Sequence, residues 1–141
     1  MATLEDYREK AFVNYCKAAL TTFVEETPGV EAVLISTLDG FEITACSRDR
    51  DNTESVANLA AVGSSLFALG SSLATQFDLG ASRSITIDNE KGKVYIQSIS
   101  GGENNTLILM LESDQQAMLA HILYGSKKLS DSIGKRLSLM R

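Results

Sequence analysis

Five consecutive apolar residues, Leu107-Ile108-Leu109-Met110-Leu111, constrain this chain more than any other segment. Side chains alternate faces along a strand, so an unbroken apolar run reads as a strand buried on both sides. Such a strand belongs in the middle of a sheet, with helices packed above and below. Elsewhere the chain supplies the neighbours. Residues 30–37 and 41–47 are short segments rich in β-formers, joined by Leu38-Asp39-Gly40, where Asp-Gly offers the positive φ angles of a tight hairpin. Residues 84–88, 94–100 and 106–111 read as a three-stranded meander, separated by Asn89-Glu90-Lys91-Gly92 and by Gly101-Gly102-Glu103-Asn104-Asn105.

Three helices are expected around these strands. The first opens at Thr3, whose spacing to Asp6 matches a capping box, and carries Phe12, Cys16, Ala19, Leu20 and Phe23 at three- and four-residue steps before Pro28-Gly29. The second is capped by Asn52 or Thr53, runs to about Phe77 and is ended by Gly80. The last opens at a second capping-box pattern, Ser113 to Gln116, and aligns Leu119, Ile122, Leu129, Ile133, Leu137 and Met140 in one stripe. The order is αββαβββα: an α+β, three-layer arrangement with two helices on one sheet face and one on the other. At 141 residues it forms one domain, residues 1–141, with no room for an interdomain cleft.

The second helix is the most informative. Val56, Leu59, Gly63, Leu66, Gly70, Leu73 and Phe77 fall at alternating three- and four-residue steps and are assigned to the sheet. The opposite face reads Glu54, Asn58, Ala61, Ser65, Ala68, Ser72 and Thr75, with no long charged side chain after Glu54. Water-facing helix surfaces normally carry Lys, Glu, Arg or Gln. Small residues instead permit close approach of another backbone, either within the same domain or from a second copy.

Taken in order, the hairpin Leu34-Ile35-Ser36-Thr37-Leu38-Asp39-Gly40-Phe41, the small-residue helix over residues 57–74, the segment from Ser84 to Tyr95 and the run from Leu107 to Leu111 resemble the Roadblock (dynein light chain) family over nearly the whole chain. The resemblance implies a profilin- or longin-like sheet and a homodimer whose sheets join edge to edge, with the second helices side by side. It also implies a non-enzymatic adaptor or regulator of a small Ras-like GTPase. Asn58, Ala61, Ser64, Ser65, Ala68, Ser71, Ser72 and Thr75 are the candidate residues for the dimer or partner interface. The alternative, from another class, is a small-molecule sensor or scaffold domain of a signalling assembly, because a mixed sheet with flanking helices also builds pockets.

Composition narrows the chemistry further. Thirteen basic against eighteen acidic residues give a net charge of -5, which repels nucleic acid and anionic membrane surfaces. The polar start, with Glu5, Asp6, Arg8, Glu9 and Lys10, is no secretory signal, and no uninterrupted apolar stretch reaches membrane-spanning length, so a cytoplasmic protein is expected. Cys16 and Cys46 read as reduced, buried thiols. No phosphate-binding G-x-x-x-x-G-K-[ST] occurs, and Gly101-Gly102 lies between strands, so neither nucleotide nor other cofactor is expected. One histidine, His121, and two separated cysteines make no metal site. His121 and Cys16 could meet as base and nucleophile only in space, and the position of His121 beside an apolar stripe fits a rim histidine better. Arg48, Arg50 and Arg83 sit in loops that could offer an arginine finger, but read most simply as solvated charge, as do Lys127, Lys128, Lys135 and Arg136 on the last helix.

Overall fold

The computed structural model describes residues 3–49, 53–102 and 105–140. Helices α1 (Leu4–Tyr7) and α2 (Lys10–Glu26) precede β1 (Val30–Ser36) and β2 (Glu42–Ser47). Then follow α3 (Thr53–Gln76), β3 (Ser84–Asn89), β4 (Gly92–Ser100), β5 (Thr106–Asp114) and α4 (Leu119–Leu137). The strands form one antiparallel sheet in the order β2-β1-β5-β4-β3. β5 is central, as its two apolar faces require. Leu107, Leu109 and Leu111 enter the core shared with α2 and α4, while Ile108 and Met110 enter the core beneath α3. All five are fully buried. The expected α+β layering, two helices on one face and one on the other, is present.

Local chemistry moves three boundaries. The capping box at Thr3 forms, with the Asp6 amide donating to Thr3 Oγ1 and the Thr3 amide to Asp6 Oδ2. It opens only one turn, because the Glu9 carboxylate then accepts from the amides of Ala11 and Phe12 and starts α2 afresh. The expected single first helix is therefore two. The second proposed box, Ser113 to Gln116, does not form. β5 runs on to Asp114, with Ser113 paired to both Val30 and Lys93, so its backbone stays in the sheet. Asp114 Oδ1 accepts instead from the amides of Gln116 and Ala117, and α4 begins at Leu119 without a side-chain cap. In the first hairpin Gly40 alone adopts positive φ, at 93°. The chain turns through residues 37–41, with the Thr37 amide donating to the Phe41 carbonyl.

α3 lies close on the sheet because it has glycine where contact is tightest. Gly63 faces the Met110 thioether, and a Cβ on Gly70 would sit 3.0 Å from Cδ1 of Ile85. The two glycines fall where the sequence places them, on the sheet side. The helix ends with Asp78 in the left-handed region at φ 53°, two residues before the expected breaker Gly80.

Candidate interface on the long helix

The register of α3 decides which residues are offered to a partner. A pattern repeating every seven residues drifts by about 20° per heptad on a straight α-helix. Over the three heptads from Val56 to Phe77 the drift reaches about 60°, enough to carry the last members of the row off the sheet. Leu73 and Phe77, assigned to the sheet face, are accordingly 56% and 64% exposed. Ala60, Ser64, Phe67 and Ala74 are buried instead.

The opposite row largely stands where the sequence puts it. Asn58, Ala61, Ser65, Ala68, Ser72 and Thr75 are all exposed. Ser64 is not on that face: it is buried, its hydroxyl donates to the Ala61 carbonyl at 3.0 Å, and it lies against Gly40 of the hairpin. Ser71 is half-buried on the wall of a cleft of about 540 Å³ shared with Leu38, Phe67 and Thr75. Flanking the exposed row stand Val62, Leu69, Leu73 and Phe77; sequence reasoning missed the first two, which fall between its two rows, and assigned the last two inward, where the heptad drift was the signal that would have found them.

This face is uncharged, and two of its hydroxyls are satisfied within the helix. The hydroxyls of Ser65 and Thr75 donate to the carbonyls of Ala61 and Ser71, at 3.2 and 3.1 Å, so each can lose its water without an orphaned donor. Counted with its serines and glycines, an 18-residue window within Glu54–Gln76 reaches a mean hydropathy of 1.4, long and apolar enough to cross a membrane by length and composition. Here one side of it is seated on β1, β2, β3 and β5, yet only 28% of its apolar window is buried. Beside it, β3 is an outer strand hydrogen-bonded to β4 alone, with its other edge open.

The remaining candidate groups take other roles. Arg48 is no free loop charge: Nε donates to the Val30 carbonyl at 2.7 Å, and Nη2 to those of Val24 and Thr27 at 2.5 and 3.3 Å. It holds the end of α2 to the start of β1. Arg83 is exposed, and Arg50 lies outside the described residues. Cys16 is fully buried, and burial pushes its thiol up to about 12, so it is no thiolate for the exposed His121 to activate. Cys46 is half-exposed on β2, and the two cysteines are unbridged. Among the described residues no three His, Cys, Asp or Glu side chains are grouped as metal ligands. In the loop before β5, Asn105 accepts from the Tyr7 hydroxyl and donates to the Met140 carbonyl, joining both ends of the described chain.

Comparison with known proteins matches this architecture. No curated protein matches the chain in sequence. Among solved structures, a Roadblock/LC7 domain from Streptomyces avermitilis superposes with a TM-score of 0.74 at 21% identity, covering 86% of this chain and 97% of that one. The gliding protein MglB from Thermus thermophilus gives 0.75 at 18% identity, with 89% of each chain covered. Myxococcus xanthus MglB gives 0.78 at 15% identity and 92% coverage of each. The Roadblock/LC7 domain model matches residues 17–112, from within α2 to within β5, and the chain therefore belongs to the Roadblock/LC7 family.

Proposed function

We propose that this protein is a non-enzymatic, cytoplasmic homodimer that serves as an adaptor or regulator for a small Ras-like GTPase. The observation that carries the reading is the α3 surface: 22 residues after Glu54 with no charged side chain, most of them uncovered in the single chain. Two such helices side by side would bury Ala61, Ser65, Ala68 and Ser72 at short range and bring Leu69 and Leu73 out of water. The open edge of β3 would join its counterpart in a continuous sheet. Residues left at the margins, among them Asn58, Thr75 and Phe77, with Ser71 in its cleft, then form a broad shelf without a deep pocket. That shape suits a protein surface of roughly 800 Å² per partner better than a small substrate.

Two-fold symmetry repeats the shelf. A GTPase seated across the axis excludes a second, which gives two copies of this chain to one GTPase. A partner touching the switch segments discriminates between their ordered and disordered forms, so binding should favour one nucleotide state. Arg48 is committed to backbone carbonyls, so any effect on hydrolysis is expected to come from repositioning the GTPase's own groups and not from that guanidinium.

The test is light scattering of the purified chain, followed by capture of nucleotide-loaded GTPase by wild type and by Ala61→Glu. Twice 15.2 kDa, and capture in one nucleotide state that the variant loses, would support the reading. A monomeric wild type at micromolar concentration would remove it.

A further inference from the structure

The sheet face opposite α3 carries a second unfilled surface. α2 and α4 cross this face antiparallel, with Gly125 beside Phe23 at one end and Arg136 over the ring of Tyr15 at the other. Between them runs an open trough of about 640 Å³. Its depth follows from residue size: α2 turns Ala18, Ala19 and Thr22 toward it, and α4 turns Gly125. A Cβ on Gly125 would stand 2.6 Å from Cε1 of Phe23, so the α4 backbone rests directly on that ring. Phe23 and Leu129, both already nearly buried, form its apolar floor, and Tyr124 stands at the side, 75% exposed.

The α4 flank of this trough carries cations in a chain that is negative as a whole. The chain carries a net -5, yet Lys128 on the trough wall and Lys135, one turn beyond the last α4 residue lining it, stand one heptad apart on the outer side of α4. Neighbouring charges on the helix are engaged: Lys127 lies 3.7 Å from Asp131, and Arg136 lies 4.8 Å from the Tyr15 centroid. Neither Lys128 nor Lys135 has a carboxylate within salt-bridge distance among the described residues. From α2 the trough receives one acid, Glu26, at the end where α4 begins.

We infer that the trough between α2 and α4 is a docking site for an acidic amphipathic helix of a partner protein. From Tyr15 to Glu26 it follows α2 for twelve residues, about 18 Å, which matches a helix of three to four turns. A third helix laid on two antiparallel ones packs at the usual 8–10 Å only where small residues let it approach, and Ala18, Ala19 and Gly125 provide that. Its apolar face, repeating at i, i+3, i+4 and i+7, covers Phe23, Leu129 and the tyrosine rings. Carboxylates one heptad apart on its flank face Lys128 and Lys135, and a basic residue at the other end meets Glu26. Such charges set orientation and partner choice, while the apolar contact holds the helix. Because α3 lies on the other side of the sheet, the site stays open in the dimer proposed above, and one molecule can engage two different proteins.

The test uses fluorescence anisotropy of the full-length protein with two fluorescein-labelled amphipathic peptides, each about four turns long. Both carry the same leucine face; one has glutamates along its flank and the other lysines. The glutamate peptide should bind saturably and about tenfold more tightly than the lysine peptide, and should weaken as salt rises. Lys128→Glu with Lys135→Glu should reverse the preference. Ala18→Trp, a change at an exposed position, should fill the trough and weaken both peptides about tenfold without altering the melting temperature. Ala61→Glu should bind the peptide like wild type, which separates this site from the α3 interface. Equal binding of the two peptides, no binding, or binding that survives Ala18→Trp would overturn the inference. So would sedimentation with phosphatidylglycerol vesicles that is lost in the double lysine variant, since that outcome assigns the cationic line to a membrane surface.

Discussion

Gly63 of α3 rests its backbone on the thioether of Met110, a fully buried residue of the central strand, and leaves no space for a side chain between them. That contact sets how closely the long helix sits on the sheet. Gly63→Val should therefore destabilise the fold by about 1–3 kcal/mol, because overpacking forces strain or a backbone shift that improved helix propensity does not offset. Thermal melting checks this; an unchanged midpoint would show that Met110 yields freely.

Charge on the opposite face of the same helix should act on assembly, with little effect on folding. Ala61→Glu or Leu69→Asp places a carboxylate where the proposed dimer excludes water, and should weaken association by at least about a hundredfold, near 3 kcal/mol. Light scattering should then report 15.2 kDa. Since both positions are exposed in the single chain, its circular dichroism should not change.

Arg48→Ala removes three hydrogen bonds to the carbonyls of Val24, Thr27 and Val30. Loss of a charged donor set of this kind should cost about 1–3 kcal/mol. The readout that separates a structural arginine from a finger is the GTPase rate at a temperature where the variant is folded. It should match wild type for Arg48→Ala and for Arg83→Ala.

Burial raises the Cys16 thiol to about 12, from 9.0, and raises the phenols of Tyr7 and Tyr95 as well. Each group then keeps its proton in the folded state at a pH where the unfolded chain has released it. Stability is unaffected below pH 9 and falls as pH rises from about 9 toward 12. By pH 10.5 the Cys16 contribution should be a loss of about 1–2 kcal/mol. Denaturant melts at pH 8 and 10.5 measure it. A thiol reagent at pH 8 should modify the half-exposed Cys46 and reach Cys16 only on unfolding.

Asp78 terminates α3 with φ at 53°, a left-handed conformation that costs a residue with a Cβ. Asp78→Gly should stabilise the protein by about 1 kcal/mol. A lowered melting temperature would mean that the Asp78 side chain contributes more than its backbone strain costs.

Much of this molecule was legible from local pattern. The run from Leu107 to Leu111 dictated a central strand between two helical layers, since no other placement removes both of its faces from water. Gly40, the capping pair Thr3 and Asp6, and the close-packing glycines Gly63 and Gly70 likewise have roles that side-chain size or backbone freedom determines at the residue itself. What the tertiary structure decided depends on competition between partners. Ser113 had the spacing of a cap, but the sheet claimed its backbone, and Asp114 took over the turn. Arg48 read as a loop charge because its three acceptors lie 18 to 24 residues away in sequence. Leu73 and Phe77 read as core because a heptad row looks straight in sequence and winds by about 60° on a real helix. The sheet supports α3 along one line only, so the drift turns those two side chains outward, onto the surface where a second copy is expected.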